Sequence, residues 1–253
     1  MKIIIIGLTE GHDRLRAALA ATPASMGVYE DRADYITHLA DDGAALVVVD
    51  GRDSHWKFWI TAPKISPATR RIPIVLVSDD PAQIHAAEDS GAALVISPDE
   101  LFERLPSVIL QIARVPSPEA VTALLAQCDD PLPPEAVEAI ERFNAGDYYR
   151  QHDLFEALWM DDPRPVRDLY RSILQIGIAY YQIQRGNWRG AHKMLLRSQQ
   201  WLALLPEECQ GVDVAALRAD AAAVRAELER VGVDGMANFD QSLLKSVRLK
   251  PRR

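Results

Sequence analysis

The side chains with the most chemical potential lie between Phe143 and Trp201. His152 and Glu156 stand four residues apart, so on a helix they share one face and can touch. A pair of that kind can ligate a metal or act as an acid–base couple. His192 would complete a three-ligand site if its helix faced theirs. The competing reading is a buried structural network. In it Glu156 pairs with Arg167 or Arg171 and His152 bonds across helices, because a buried carboxylate needs such partners. Arg164, Arg167 and Arg171 run along one side of a long helix and can supply them. The residues favour this network over catalysis, so no metal and no cofactor is expected. No nucleophile motif, phosphate loop or dinucleotide fingerprint occurs anywhere in the chain.

The elements that would position these residues are legible. Gly146-Asp147-Tyr148 with His152 returns as Gly186-Asn187-Trp188 with His192. Each copy has a helix stop (Gly), an N-cap (Asp or Asn) and an aromatic anchor ahead of a new helix. This pattern predicts two pseudo-repeated helical hairpins. The predicted helices are 135–145, 148–159, 166–185, 188–205 and 214–231. The stretch 173–181 is apolar nearly all round, so its helix should be central and buried. Asn187 has a local role as a cap, and Gly190 lets helices cross closely. An anion site at that helix start, with Arg185 and Arg189, is a weaker alternative.

The first half alternates short apolar runs with helical spacing. Strands are predicted at 2–6, 25–29, 45–49, 72–77 and 93–96. Helices are predicted at 13–21, 32–40, 82–90 and 101–114, and one more around the aromatic stretch 54–60. Strands and helices in that alternation imply a doubly wound parallel sheet, whose ligands sit at the carboxyl ends of the strands. Gly7, Leu8, Asp50, Ser78 and Ser97 fall at that edge. Trp59 and Phe58 should pack the third helix on the sheet, whereas an exposed Trp56 would signal a partner contact.

Two resemblances add to this reading. The order and spacing of residues 1–115, and the piece from Ser66 to Ser78 in particular, resemble the receiver domain of two-component response regulators. The resemblance implies a flavodoxin-like fold, with Asp50 at the phospho-acceptor position and Ser78 at the phosphoryl-sensing position. Gly7 and Leu8 stand where the family keeps its acidic pair, and Ser97 replaces its Lys. Phosphoryl transfer to a carboxylate needs Mg²⁺ held by hard oxygen ligands, which Gly7 and Leu8 lack. Glu10 or Asp13 would have to reach in. A degenerate pseudo-receiver is therefore the expectation. His152, Glu156 and Trp159, joined to Gln175 and to the Arg185–Ala191 run with Asn187 and Gly190, resemble the helical domain-of-unknown-function family 309. That resemblance implies a small helical bundle and no established activity.

Composition narrows the function classes. A 253-residue chain of 48% hydrophobic and 25% charged residues suits two soluble domains. The expected layout is a receiver-like α/β domain at 1–115, a Pro-rich linker with a short helix at 116–134, a helical bundle at 135–232 and a loose basic tail at 233–253. A net charge of −8 argues against a nucleic-acid partner, residues 243–253 being the one basic stretch. No run is long enough to span a membrane. Cys128 and Cys209 form no disulfide framework or metal motif, which points to a reducing cytoplasm. The resulting reading is a regulatory or scaffolding protein, not an enzyme, that works through a protein partner or as a homo-oligomer. The alternatives are a phospho-responsive regulator acting through Asp50, and a metal-binding or hydrolytic helical domain using His152, Glu156 and His192.

Overall fold

The computed structural model describes residues 2–8, 12–20 and 24–250. The chain divides into two units, Met1–Val115 and Pro116–Arg253, each with its own core. The first unit runs β1 (Lys2–Ile6), α1 (His12–Leu19), β2 (Ser25–Tyr29), α2 (Tyr35–Asp41), β3 (Ala44–Asp50), α3 (Trp56–Ile65), β4 (Ile74–Val77), α4 (Pro81–Asp89), β5 (Leu94–Ile96) and α5 (Leu101–Ile112). The five strands form one parallel sheet in the order β2-β1-β3-β4-β5. Continuous β-branched runs suit strands covered on both faces. Alternate residues accordingly enter two different cores. Ile3, Ile5, Leu46, Val48, Val75 and Val77 pack under α1 and α5, while Ile4, Ile6, Val47, Val49, Ile74 and Leu76 pack under α2 and α3.

The aromatic stretch seats α3. Trp59 is buried edge-on to Tyr35 at 4.8 Å, and the Tyr35 hydroxyl donates to the Trp59 carbonyl at 3.1 Å. Trp56 is partly buried against the same core, so it is not the exposed residue that would mark a partner contact, and Phe58 is the more exposed neighbour. The strand expected from residue 72 begins at Ile74, because Pro73 has no N–H for the ladder and Ile72 closes a turn onto the Thr69 carbonyl. Ala21, at the expected end of α1, lies outside the described residues.

The second unit comprises α6 (Pro118–Cys128), α7 (Pro134–Asn144), α8 (Tyr148–Asp161), α9 (Arg167–Gln184), α10 (Trp188–Leu202), the short hairpin β6 (Glu208–Cys209) and β7 (Val212–Asp213), and α11 (Val214–Val231). Every residue of α9 from 169 to 177 is buried. Helices α8 and α10 flank it, α7 packs on α8, and α11 on α10. The turns before α8 and α10 share one geometry. Gly146 and Gly186 take φ of 78° and 67°, which a side chain disfavours. Their N–H groups donate to Phe143 and Ile183, and the next N–H reaches back to Arg142 and Gln182. Asp147 and Asn187 then cap the following helices. Gly177 is required by packing instead: a Cβ there would collide with the Gln151 amide.

Three expectations are corrected here. Segment 116–134 is more than a linker, since α6 sends Leu124 and Cys128 into the helical core. Cys128 and Cys209 are joined in a disulfide across a sequence separation of 81 residues. Two cysteines so far apart carry no spacing signal, and only the packing of α6 beside β6 brings them together. The tail is docked, not loose. Phe239 and Val247 are buried. The Asn144 amide donates to the Val247 carbonyl at 3.0 Å and accepts its N–H at 2.7 Å. Arg248 pairs with Asp220 at 2.6 Å. Arg252 and Arg253 of the basic stretch lie outside the described residues. No described helix is long and apolar enough to cross a membrane.

Asn144 replaces a strand partner for the tail, so its loss leaves two backbone groups of Val247 unpaired. Asn144→Ala is expected to lower the stability of the helical unit by about 2 kcal/mol and to expose the chain beyond residue 240 to proteolysis. Denaturant titration and limited proteolysis check this.

Candidate functional site

The carboxyl edge of the sheet gathers Gly7, Leu8, Asp50, Ser78 and Ser97, and local chain geometry closes it. The Asp50 side chain is 3% exposed and its carboxylate is clamped by Arg52. The Arg52 backbone N–H reaches Oδ1 at 2.8 Å, Nε lies 3.1 and 3.0 Å from the two oxygens, and Nη2 meets Oδ2 at 2.7 Å. Bidentate guanidinium–carboxylate bonds of this kind are short and charge-assisted. Ser78 Oγ donates to Gln83 Oε1 at 2.7 Å, and Gln83 Nε2 donates to the Gly51 carbonyl at 2.9 Å. Ser97 Oγ accepts the Glu100 N–H at 3.3 Å.

No side-chain oxygen enters from β1. Leu8 is in the core, and a Cβ at Gly7 would meet the Asp53 and Asp50 Cβ atoms at 3.0 and 3.2 Å. Asp53 accepts the His55 N–H at 2.7 Å. Asp13 is fully exposed and bonded to Arg16, and Glu10 lies outside the described residues. Arg52 and Gln83 are the residues that sequence reasoning missed. The signal for Arg52 was available: an Asp at a strand end followed by Gly-Arg lets the acid accept the N–H two residues on, which aims the Arg side chain back at it.

In the helical unit one side of α8 packs along α9. Helices α8 and α9 run antiparallel. Tyr148 lies 5.6 Å from Tyr180, Gln151 donates to the Leu174 carbonyl at 3.4 Å, and Phe155 stacks on Tyr170 at 6.3 Å. Further along, the Arg171 guanidinium sits 4.4 Å from the Trp159 ring, and Trp201 of α10 meets it from another helix at 3.8 Å. Arg167 also approaches Trp159, at 5.4 Å. Arg171 is 7% exposed, and cation–π contact in such a desolvated place is worth about 2 kcal/mol. Gln175, one turn on, is buried, and its Oε1 has no hydrogen-bond partner among the described residues.

The expected Glu156 network does not form. Glu156 is half-buried, and none of the hydrogen bonds or ion pairs seen among the described residues involves it. Arg171 is turned to the indoles. Arg164 is taken by Asp162 at 2.9 Å and Asp130 at 3.4 Å, and its hydrogen bond holds the Asp162 carboxyl below the usual range. His152 Nδ1 contacts its neighbour Asp153 at 3.2 Å rather than another helix. His192 stacks on Trp188 at 4.7 Å and bonds Glu229 of α11 at 3.1 Å. It thus serves the α10–α11 contact, and the set His152, Glu156 and His192 is not assembled. Among the described residues, no group of three or more His, Cys, Asp or Glu is placed to hold a metal. Asn187 caps α10 through the Gly190 N–H at 3.0 Å and bonds Gln182 at 2.8 Å. Gly190 makes room for this pair: a Cβ there would lie 2.6 Å from Asn187 Nδ2 and 3.1 Å from Gln182 Cδ of the neighbouring α9. Arg185 bonds the Tyr181 hydroxyl at 3.2 Å.

Residues 136–194 match the family described as "Domain of unknown function (DUF309)". The matched span runs from α7 into α10, wholly within the second unit, and includes His152, Glu156, Trp159, Gln175, Asn187 and Gly190. The chain is also 25% identical over 83 residues to an "Uncharacterized protein" of Aquifex aeolicus (strain VF5). That alignment covers 32% of this chain and 25% of the relative, so the chain spans about a quarter of that protein's length.

These contacts separate a structural residue from a free one on the same flank. Trp201→Ala removes a buried indole and one wall of the Arg171 stack, and is expected to cost about 3–5 kcal/mol. Glu156→Gln breaks no ion pair, so its effect on stability should stay within about 0.5 kcal/mol. Parallel urea titrations of the two variants test the contrast.

Proposed function

We propose that this chain is a regulatory or scaffolding protein in which a pseudo-receiver is joined to a helical interaction domain. The observation that carries the reading is the Arg52 clamp on Asp50. A carboxylate that must attack a phosphoryl group needs free oxygen lone pairs and a metal to offset charge. Here the guanidinium already occupies both oxygens, Ser78 is committed to Gln83, and positions 7 and 8 supply no ligand. The strand order 2-1-3-4-5 is the flavodoxin-like order and supports the receiver-like assignment.

In the helical unit, the matching Gly146 and Gly186 turns support a pseudo-repeat of two hairpins. The side of α8 bearing His152, Glu156 and Trp159, all partly exposed, is the recognition face in this reading. It combines a half-buried acid without an ion pair with a partly exposed imidazole and indole edge, which suits a protein partner or a second copy better than chemistry.

The purified protein is incubated with acetyl phosphate and Mg²⁺ and weighed intact. No added phosphoryl mass is expected, in the wild type or in Asp50→Asn. Stoichiometric phosphorylation lost in Asp50→Asn would replace this reading with the phospho-responsive one. Light scattering of the same sample is expected to show a stable oligomer, or a monomer that captures a defined partner through the Glu156 flank.

A further inference from the structure

We propose that the Cys128–Cys209 pair is a reversible thiol–disulfide exchange site whose reduction releases α6 from the helical unit. The chain has two cysteines, and the fold uses both at one point. Cys128 is the last residue of α6 and Cys209 ends β6. The bond therefore ties a peripheral helix to the hairpin that precedes α11.

The hold on α6 is otherwise slight. Only Leu124 and Cys128 of that helix are buried, whereas Val121 and Leu125 face outward. The remaining ties gather around its last turn. Gln127 Oε1 accepts the Val166 N–H at 3.1 Å, the Gln210 N–H donates to the Cys128 carbonyl at 2.6 Å, and Gln210 Nε2 reaches the Gln127 carbonyl at 3.4 Å. Most buried side chains of the helical core come from α7 to α11, and α6 adds Leu124 and Cys128. Elements with few apolar anchors open locally at low cost, and a cross-link at such an element controls the opening.

The far side of the bond is a strained turn. Gln210 sits at φ 51°, a left-handed conformation that costs free energy for a residue with a side chain. It is held there by its bonds to α6 and by the Tyr170 hydroxyl, which donates to Gln210 Oε1 at 2.8 Å. The same turn seats the tail. The Lys250 N–H donates to Gly211 at 2.8 Å, and the Asp213 N–H to Arg248 at 2.9 Å. The oxidised bond thus joins α6 to the β6–β7 hairpin, whose own backbone hydrogen bonds hold residues 248–250.

The exchange reaction balances with a small dithiol as reductant. Cys209 is fully buried and Cys128 is 7% exposed, so fraying of the last turn of α6 presents the Cys128 sulfur first. A dithiol thiolate attacks Cys128 Sγ, the protein S–S bond breaks, and Cys209 leaves as a thiolate that takes up a proton. The second thiol of the reagent then attacks the mixed disulfide, closes its own ring and releases Cys128 as a thiol. Two electrons and two protons pass from the dithiol to the protein. A low-molecular-weight disulfide such as oxidised glutathione reverses the change.

The test uses the folded 253-residue chain equilibrated in mixtures of reduced and oxidised dithiothreitol. Thiols are trapped with a maleimide and counted by intact mass, and amide exchange is followed on the same samples. The expected result is reversible uptake of two maleimides across the dithiothreitol range. Exchange in 118–128 and 208–213 should rise about tenfold or more, while 169–177 stays protected. Uptake only after denaturation would mark a static staple and overturn the proposal. So would reduction that leaves exchange in α6 unchanged. The double variant Cys128→Ser, Cys209→Ser should show the open pattern in every buffer. If it fails to fold, the wild-type redox series decides by itself.

Discussion

The helical unit depends on the burial of α9. A helix enclosed from residue 169 to 177 has little solvent for its polar side chains, so most of them are met by its own carbonyls or by neighbouring helices. Ser172 bonds back to the Asp168 carbonyl, and Arg171 is received by Trp159 and Trp201. Gly177 gives its place to the Gln151 amide. The positions of α8 and α10 follow from these demands. Each flanking helix brings the aromatic or amide group that a particular turn of α9 requires, and the Gly146 and Gly186 turns supply the reversals that bring it there.

Charge is managed in the same inward-looking manner at the edge of the sheet. An acid at the end of β3 would ordinarily be available to a ligand. Arg52, two residues on, neutralises it through a local turn, and Gln83 ties Ser78 to the loop after Asp50. The result is a strand edge whose acid and hydroxyl are held in the hydrogen bonding of a closed loop. The fold tolerates this because the two sheet cores carry the stability of the unit, leaving the edge residues to pair among themselves.

The same physical rules explain what reading the chain could and could not reach. Strand and helix positions were legible because period and composition are local properties. The apolar runs, the Gly stops and the Asp147 and Asn187 caps each act within a few residues. The partners that charged side chains of the helical unit find across helices were not legible. Arg171 was expected to seek Glu156, since opposite charge is the simplest inference from residue type. It meets two indoles instead, one of them thirty positions further along the chain at Trp201. His192 was grouped with His152 by sequence analogy, yet its rotation on α10 directs it to Glu229.

The sequence alone determined the alternation of strands and helices in the first unit, the buried central helix of the second and the glycine-capped turns around it. These follow from backbone preference and hydrophobic period. Tertiary structure decided the rest: the Cys128–Cys209 bond, the docking of the tail through Asn144 and the separation of His192 from His152. Each of these joins groups whose distance is set by how helices and loops pack, and packing is decided by the sum of many side-chain contacts that no single spacing records.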